Sequence, residues 1–127
     1  MVRAMSANVL LVEDHDDMRM ALRDWLLKSL PPVSLREARN LAEALDVARQ
    51  WKLDFALINL ELPGPNGIEA ARALRKRHRE LPLVIMSMHE SEALRLAALE
   101  AGADAFIAKR ELTLNLLPLV QRLMLRV

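Results

Sequence analysis

Residues 54–70 read DFALINLELPGPNGIEA, and they contain one complete transition from a strand to a helix. The run FALI is apolar throughout and has the length of a strand, which is typical of a strand covered on both faces. It ends at one polar residue, Asn59, and a loop rich in proline and glycine follows. After this loop a helix is predicted to begin near Asn66 or Gly67 and to run to about His78.

The same unit recurs along the chain, because other apolar runs of strand length alternate with segments of helical spacing. The runs are NVLLV from Asn8, LVIM from Leu83 and AFIA from Ala105, and a weaker one, VSLREA from Val33, alternates as a less buried strand would. Strands that alternate with helices pair in parallel through right-handed crossovers, with helices on both faces of the sheet. The sequence therefore predicts a doubly wound α/β fold with five strands and five helices.

Apolar residues at intervals of three and four predict the first two helices. Asn40, with Glu43 three residues later, predicts a capping box at the start of the second helix. The inner faces are predicted to carry Met18, Ala21, Leu22, Trp25 and Leu26 in the first helix, and Leu41, Ala44, Leu45 and Ala48 in the second.

The last two helices are predicted from the residues at their ends. One covers about residues 91–101, and Gly102 stops it. The other occupies about residues 114–125, where Pro118 removes a helical donor and clashes with the preceding turn. This last helix is therefore predicted either to begin late, near Asn115, or to be kinked.

The chain has the size and composition of one soluble domain. Its 127 residues are 53% hydrophobic, which is enough for a single core, so residues 1–127 are predicted to form one domain. The net charge of +1 gives no long-range field that would attract nucleic acid, and no apolar run is long enough to span a membrane. Without cysteine or a signal peptide, the chain is expected in the cytoplasm.

Polar residues follow four of the five predicted strands. Glu13 and Asp14 come after the first apolar run, Asn59 after the central one, and Ser87 and Lys109 after the last two. The carboxyl ends of the strands form the ligand crevice of a doubly wound sheet, so these side chains are expected to converge. Carboxylates suit Mg²⁺, and a hydroxyl with a lysine can hold phosphoryl oxygens. The residues alone thus predict a metal-assisted phosphate or phosphoryl site.

Four stretches together resemble the receiver domain of bacterial two-component response regulators: VLLVEDH, LPGPNG, VIMS and GADAFIAK. They occur in the order and with the spacing of that family over essentially the whole chain. The resemblance implies a flavodoxin-like, three-layer sandwich whose five parallel strands have the order 2-1-3-4-5. It also implies a signalling domain that is not an enzyme, and whose partner is a sensor histidine kinase or another signalling protein.

The resemblance further implies roles for individual residues. Members of the family take a phosphoryl group from a kinase histidine onto an aspartate, and the face formed by helix 4, strand 5 and helix 5 then repacks. Here Mg²⁺ would be held by Glu13, Asp14 and the backbone carbonyl of Glu61. The remaining roles are the switch hydroxyl, the switch aromatic residue and the phosphoryl-binding lysine, which fall on Ser87, Phe106 and Lys109.

Asn59 departs from the family at the phosphoacceptor position. A neutral amide is not a competent oxygen nucleophile, so no acyl phosphate is expected there. Loss of one acidic group is also expected to weaken Mg²⁺ binding. Two explanations fit the sequence: a natural pseudo-receiver, or a phosphoaccepting receiver whose aspartate was replaced by asparagine. We favour the natural variant, since the chain shows no other trace of engineering.

Surplus leucines on the last two helices predict a surface that needs a second partner. Either a homodimer or another protein binds there, or these leucines are only scattered on the surface. We expect neither nucleic acid nor a membrane to bind through this domain. Arg110 stands where many receivers have proline, and receivers joined to helix-turn-helix DNA-binding domains often lack that proline. An alternative is therefore the N-terminal part of a DNA-binding transcriptional regulator. The surplus residues are Leu96, Leu99, Leu114, Leu117 and Leu125.

Overall fold

Five parallel strands form one sheet in the computed structural model, which describes residues 7–124. The order across the sheet is β2-β1-β3-β4-β5, as predicted. The edge strand β2 is only partly buried, whereas β3 and β4 are buried along their whole length. The strands are β1 (Ala7–Val12), β2 (Val33–Ala38), β3 (Phe55–Asn59), β4 (Leu83–Ser87) and β5 (Ala105–Ala108).

One helix follows each strand, so the predicted alternation of strands and helices is confirmed. A short 3-10 turn over Lys109–Glu111 leads from β5 into the last helix. Within residues 7–124, none of the helices combines the length and the apolar character that a membrane span requires. The helices are α1 (Asp16–Ser29), α2 (Leu41–Gln50), α3 (Gly67–Arg77), α4 (Glu92–Glu100) and α5 (Leu112–Met124).

The sheet separates two apolar layers, which makes the domain a three-layer sandwich. Alternate residues of β1 belong to different layers: Val9 and Leu11 pack with α1 and α5, whereas Leu10 and Val12 pack with α2, α3 and α4. This alternation follows from the period of two in a strand. The last residue of each strand is buried, so the edge where the polar residues lie is part of the packed core.

The N-terminal caps differ from the prediction in one place. Asn40 caps α2, since its side chain accepts a hydrogen bond from the backbone N–H of Glu43 at 2.9 Å. The Glu43 carboxylate, however, accepts from the backbone N–H of Arg39 at 2.8 Å instead of returning to Asn40. The complete capping box is found on α3, between Asn66 and Glu69. The capping box predicted for α2 is therefore wrong in its second half, because the Arg39 side chain also holds that carboxylate.

Two predictions about helix faces and ends are wrong. Of the two alternatives for the last helix, the late start is wrong: α5 begins at Leu112, not near Asn115, because Leu112 is buried in the layer that α5 shares with α1. Pro118 consequently lies inside the helix, at an exposed position where its ring faces solvent. On α1, Ala21 is exposed, because the buried face is narrower than its apolar pattern suggests.

Gly102 ends α4 as predicted, and its conformation explains why glycine is needed. Its φ angle is +111°, a value that residues other than glycine rarely adopt. The N–H groups of Gly102 and Ala103 donate to the carbonyls of Leu99 and Ala98 at 3.0 and 3.1 Å, which is a Schellman motif. Arg75 of α3 donates to the Gly102 carbonyl at 2.8 and 2.9 Å and so ties α3 to this turn.

Candidate functional site

Three polar side chains are buried in the part of the chain that the structure describes. They are Glu13, Asn59 and Ser87, which are 1%, 2% and 0% exposed. Each lies at the carboxyl end of a strand, after β1, at the end of β3 and at the end of β4. Burying a polar group costs free energy unless the group is hydrogen-bonded. The hydrogen-bond partners of these three side chains are therefore the first evidence for the chemistry of the site.

Glu13 is the centre of the cluster, and both of its carboxylate oxygens are engaged. Its Oε1 accepts a hydrogen bond from Nζ of Lys109 at 3.0 Å. Its Oε2 accepts from Nδ2 of Asn59 at 3.1 Å and from the backbone N–H of His15 at 3.2 Å. The Lys109 side chain is itself only 11% exposed, so this ion pair is largely buried. The negative charge is thus neutralised by groups of the chain itself.

Asn59 acts here as a donor. Its Nδ2 contacts Glu13 and also donates to the backbone carbonyl of Glu61 at 2.8 Å. An aspartate could make neither contact, because an ionised carboxylate has no hydrogen to donate. The other amide atom, Oδ1, is buried without a partner among the described residues.

The side chain of Glu61 was not predicted to take part in the site. Its carboxylate accepts from the Ser87 hydroxyl at 2.5 Å and from the backbone N–H of Met88 at 3.2 Å. From the sequence, only the backbone carbonyl of Glu61 was predicted to belong to the site. No periodic pattern could have revealed the contact, because Glu61 lies in a loop and its donors lie at the end of β4 and just after it.

Gly67 is a second residue whose part in the site was not predicted from the sequence. A Cβ atom at this position would lie 2.3 Å from the backbone oxygen of Asn59 and 2.7 Å from Cα of Leu60. The first turn of α3 therefore packs directly on the end of β3, and the Gly67 N–H donates to the Leu60 carbonyl at 2.8 Å. The last glycine of LPGPNG was the one sign in the sequence of this close approach.

The other predicted site residues lie outside the buried cluster. Asp14 is exposed, although it adjoins Glu13 in the sequence. Phe106 is partly buried and packs against the apolar layer that contains α4. Among the surplus leucines, Leu96 and Leu114 are 47% and 78% exposed.

Two of the remaining surplus leucines are more covered. Leu99 is partly buried, and Leu117 is a partly buried member of the layer between the sheet and α1 and α5. Core packing explains Leu117 without a further partner. Leu125 lies outside the described residues.

In this arrangement two of the predicted Mg²⁺ ligands, Glu13 and the Glu61 carbonyl, are engaged in hydrogen bonds within the chain. Within residues 7–124, no group of three histidine, aspartate or glutamate residues is placed to hold a metal ion. The Glu61 carbonyl and one Glu13 oxygen, which are two of the predicted ligands, both accept from Nδ2 of Asn59. A cation at this place would compete with that amide for the two oxygens.

Comparison with known proteins agrees with this architecture. The model of the response regulator receiver domain family matches residues 9–121. The transcriptional activator protein ExaE of Pseudomonas putida is 33% identical over 116 residues, which are 91% of this chain and 54% of that protein. The transcriptional regulatory protein SrrA of Staphylococcus aureus is 32% identical over 122 residues, 93% of this chain and 49% of SrrA. The chain spans about half the length of these two relatives.

Solved structures share the fold. A two-component response regulator of the LuxR family from Aurantimonas superposes with a TM-score of 0.80 at 32% identity, over 93% of this chain and 87% of that one. TrrA of Thermotoga maritima, solved in complex with Mg²⁺ and BeF, has a TM-score of 0.82 at 24% identity, over 92% of this chain and 98% of that one. The family match, the relatives and the strand order agree, and the chain belongs to the response regulator receiver domains.

Proposed function

We propose that this chain is a receiver domain that works in two-component signalling by protein contact, without a phosphoryl group at residue 59. The hydrogen bonds of Asn59 are the observation that carries the proposal. Its amide nitrogen donates to Glu13 and to the Glu61 carbonyl, so the residue serves as a structural donor at the end of β3. An amide at this position lacks the nucleophilic oxygen that acyl phosphate formation requires.

Weak metal binding is part of the same proposal. Glu13, Asp14 and the Glu61 carbonyl remain the groups that would hold Mg²⁺, but Glu13 is already paired with Lys109. A cation entering the site would compete with that ion pair and with the Asn59 amide. We therefore infer that Mg²⁺ binds more weakly here than in a receiver with a third carboxylate.

Intact-protein mass after incubation with acetyl phosphate and Mg²⁺ tests the proposal. The unaltered chain is expected to keep its mass. A gain of one phosphoryl group by the unaltered chain would overturn the proposal.

The same experiment on the variant Asn59→Asp distinguishes the two explanations of Asn59, a natural pseudo-receiver and a receiver whose aspartate was replaced. If the variant gains one phosphoryl group, the rest of the pocket is competent and Asn59 alone silences it. That result favours a phosphoaccepting receiver in which the aspartate was replaced. If the variant also keeps its mass, the pocket has diverged further, which favours a natural pseudo-receiver.

We further propose that the exposed surface of α4 and α5 receives a partner protein, either a second copy or another signalling protein. Leu96 on α4 and Leu114 on α5 expose large apolar side chains there, and Arg110 and Glu90 form an ion pair between the 3-10 turn after β5 and the loop after β4. A contiguous patch of exposed apolar side chains is typical of an interaction surface, and we propose that these two leucines belong to one such patch. We also propose that the partner is a histidine kinase or another signalling protein and that the domain acts in the cytoplasm. A transcriptional output is part of the same proposal.

Light scattering at increasing protein concentration distinguishes these partners. Self-association predicts a molar mass that rises from 14.4 kDa towards that of a dimer. Leu114→Glu should then restore the monomer mass, while Asn115→Glu, a change at the neighbouring exposed residue, should not. A mass that stays at the monomer value at every concentration excludes the second copy as the partner.

A further inference from the structure

Two hydrogen-bond donors at the end of β4 converge on one carboxylate. The Ser87 hydroxyl donates to Oε2 of Glu61 at 2.5 Å, and the backbone N–H of Met88 donates to Oε1 at 3.2 Å. Each carboxylate oxygen therefore has its own donor. A hydroxyl and a backbone N–H that point at the same place form a small oxyanion site, because both stabilise negative charge directly.

The direction of the Ser87 hydroxyl is fixed by its other contact. The backbone N–H of His89 donates to Oγ of Ser87 at 3.0 Å, so this oxygen acts as an acceptor on the side of the loop. Its hydrogen is then directed to Glu61, and the three groups form a chain of hydrogen bonds that strengthen one another. Ser87 is fully buried, so water does not compete for the hydroxyl.

Asn59 holds the backbone from which the Glu61 side chain extends. Its Nδ2 donates to the Glu61 carbonyl at 2.8 Å, and the Leu62 N–H donates to the Leu60 carbonyl at 3.0 Å. These two bonds fix the turn after β3. The Glu61 side chain is thereby directed across to β4, where it meets the Ser87 and Met88 donors.

We propose that Glu61 is a resident anion: its carboxylate occupies the oxyanion site of Ser87 and Met88 and holds the loop after β4 without any added group. The inference rests on the proposed function, since it explains how a receiver without a phosphoryl group keeps this loop ordered. The oxyanion site of Ser87 and Met88 is then closed to small oxyanions as long as Glu61 carries its carboxylate. The held loop continues to Glu90, whose ion pair with Arg110 reaches the surface near α5.

Amide hydrogen exchange and a titration with inorganic phosphate, both followed by NMR, test this proposal. In Glu61→Ala the Met88 amide is expected to exchange about tenfold faster than in the unaltered chain, because a hydrogen bond to a charged group is lost. The same amide should shift on addition of phosphate in the variant and not in the unaltered chain, at constant ionic strength. Glu80→Ala, which removes an exposed carboxylate before β4, is the matched control and should change neither quantity.

A conservative variant separates charge from shape. Glu61→Gln keeps the shape and one acceptor oxygen, so Met88 exchange should lie between those of the unaltered chain and Glu61→Ala. This variant also gives an answer if Glu61→Ala does not fold.

Two results would overturn the resident anion. One is Met88 exchange that is the same in the unaltered chain and in both variants. The other is a phosphate-dependent Met88 shift in the unaltered chain as large as in Glu61→Ala. Failure of the proposed function would appear elsewhere, as a phosphoryl adduct on the unaltered chain, and the two failures are therefore distinguishable.

Discussion

Lys109→Met is expected to lower the free energy of unfolding by about 3–5 kcal/mol, the range for breaking one side of a buried ion pair. The Lys109 ammonium lies 3.0 Å from Oε1 of Glu13, and the Glu13 side chain is only 1% exposed. Methionine would fill similar space but would leave the carboxylate without a cation. The donors that remain on Glu13, the Asn59 amide and the His15 N–H, are neutral and offset only part of the loss.

Urea unfolding followed by tryptophan fluorescence measures this change, because Trp25 packs partly buried against the core. Lys28→Met is the matched control at an exposed position and should stay within about 0.5 kcal/mol. The double variant Glu13→Gln with Lys109→Met removes both charges and should lose less than the sum of its single variants. A double variant that loses the full sum would mean that the two side chains are not energetically coupled.

The fold could be predicted because its strongest sequence patterns arise from burial on two sides. β3 and β4 are covered by helices on both faces, so their residues read as unbroken apolar runs. The same topology brings the ends of parallel strands to one edge, which is why Glu13, Asn59 and Lys109 were predicted to converge. The contacts among these three side chains show that they do.

The details of the site depend on the directions of individual side chains, and the periodic pattern of apolar residues in the sequence does not determine these directions. Glu13 and Asp14 are adjacent at the end of β1, and the sequence does not say that the first turns inward and the second faces solvent. The contact of Glu61 with Ser87 joins residues 26 positions apart and depends on the turn after β3. The start of α5 was mispredicted for a related reason, since burial of Leu112 outweighs the local effect of Pro118.

Asn59→Asp is expected to lower the free energy of unfolding by about 3 kcal/mol in metal-free buffer near neutral pH. The amide nitrogen lies 3.1 Å from Oε2 of Glu13 and 2.8 Å from the Glu61 carbonyl oxygen. Replacing it by a carboxylate oxygen turns two hydrogen bonds into two contacts between acceptors, one of them between like charges. Mg²⁺ should recover part of the loss in the variant, because a cation can be shared by these oxygens.

Thermal unfolding of the unaltered chain and the variant, each with and without Mg²⁺, measures both effects. Asn66→Asp is the matched control, since the Asn66 side chain only accepts, from the N–H groups of Ile68 and Glu69 at 2.9 and 3.0 Å. Aspartate caps a helix as well as asparagine does, so this control should change stability by less than about 0.5 kcal/mol. Equal melting curves for the unaltered chain and Asn59→Asp, with and without Mg²⁺, would contradict the role given to the amide.

A loss that Mg²⁺ reverses only in Asn59→Asp would show what the asparagine supplies. The carboxylate of Glu13 needs positive or hydrogen-bonding neighbours because it is buried. In the unaltered chain Lys109 and the Asn59 amide provide them, so the pocket is complete without a metal ion. In the variant one of these neighbours becomes another anion, and the site becomes dependent on a cation. The choice between amide and carboxylate at residue 59 would therefore decide whether the stability of this domain responds to Mg²⁺.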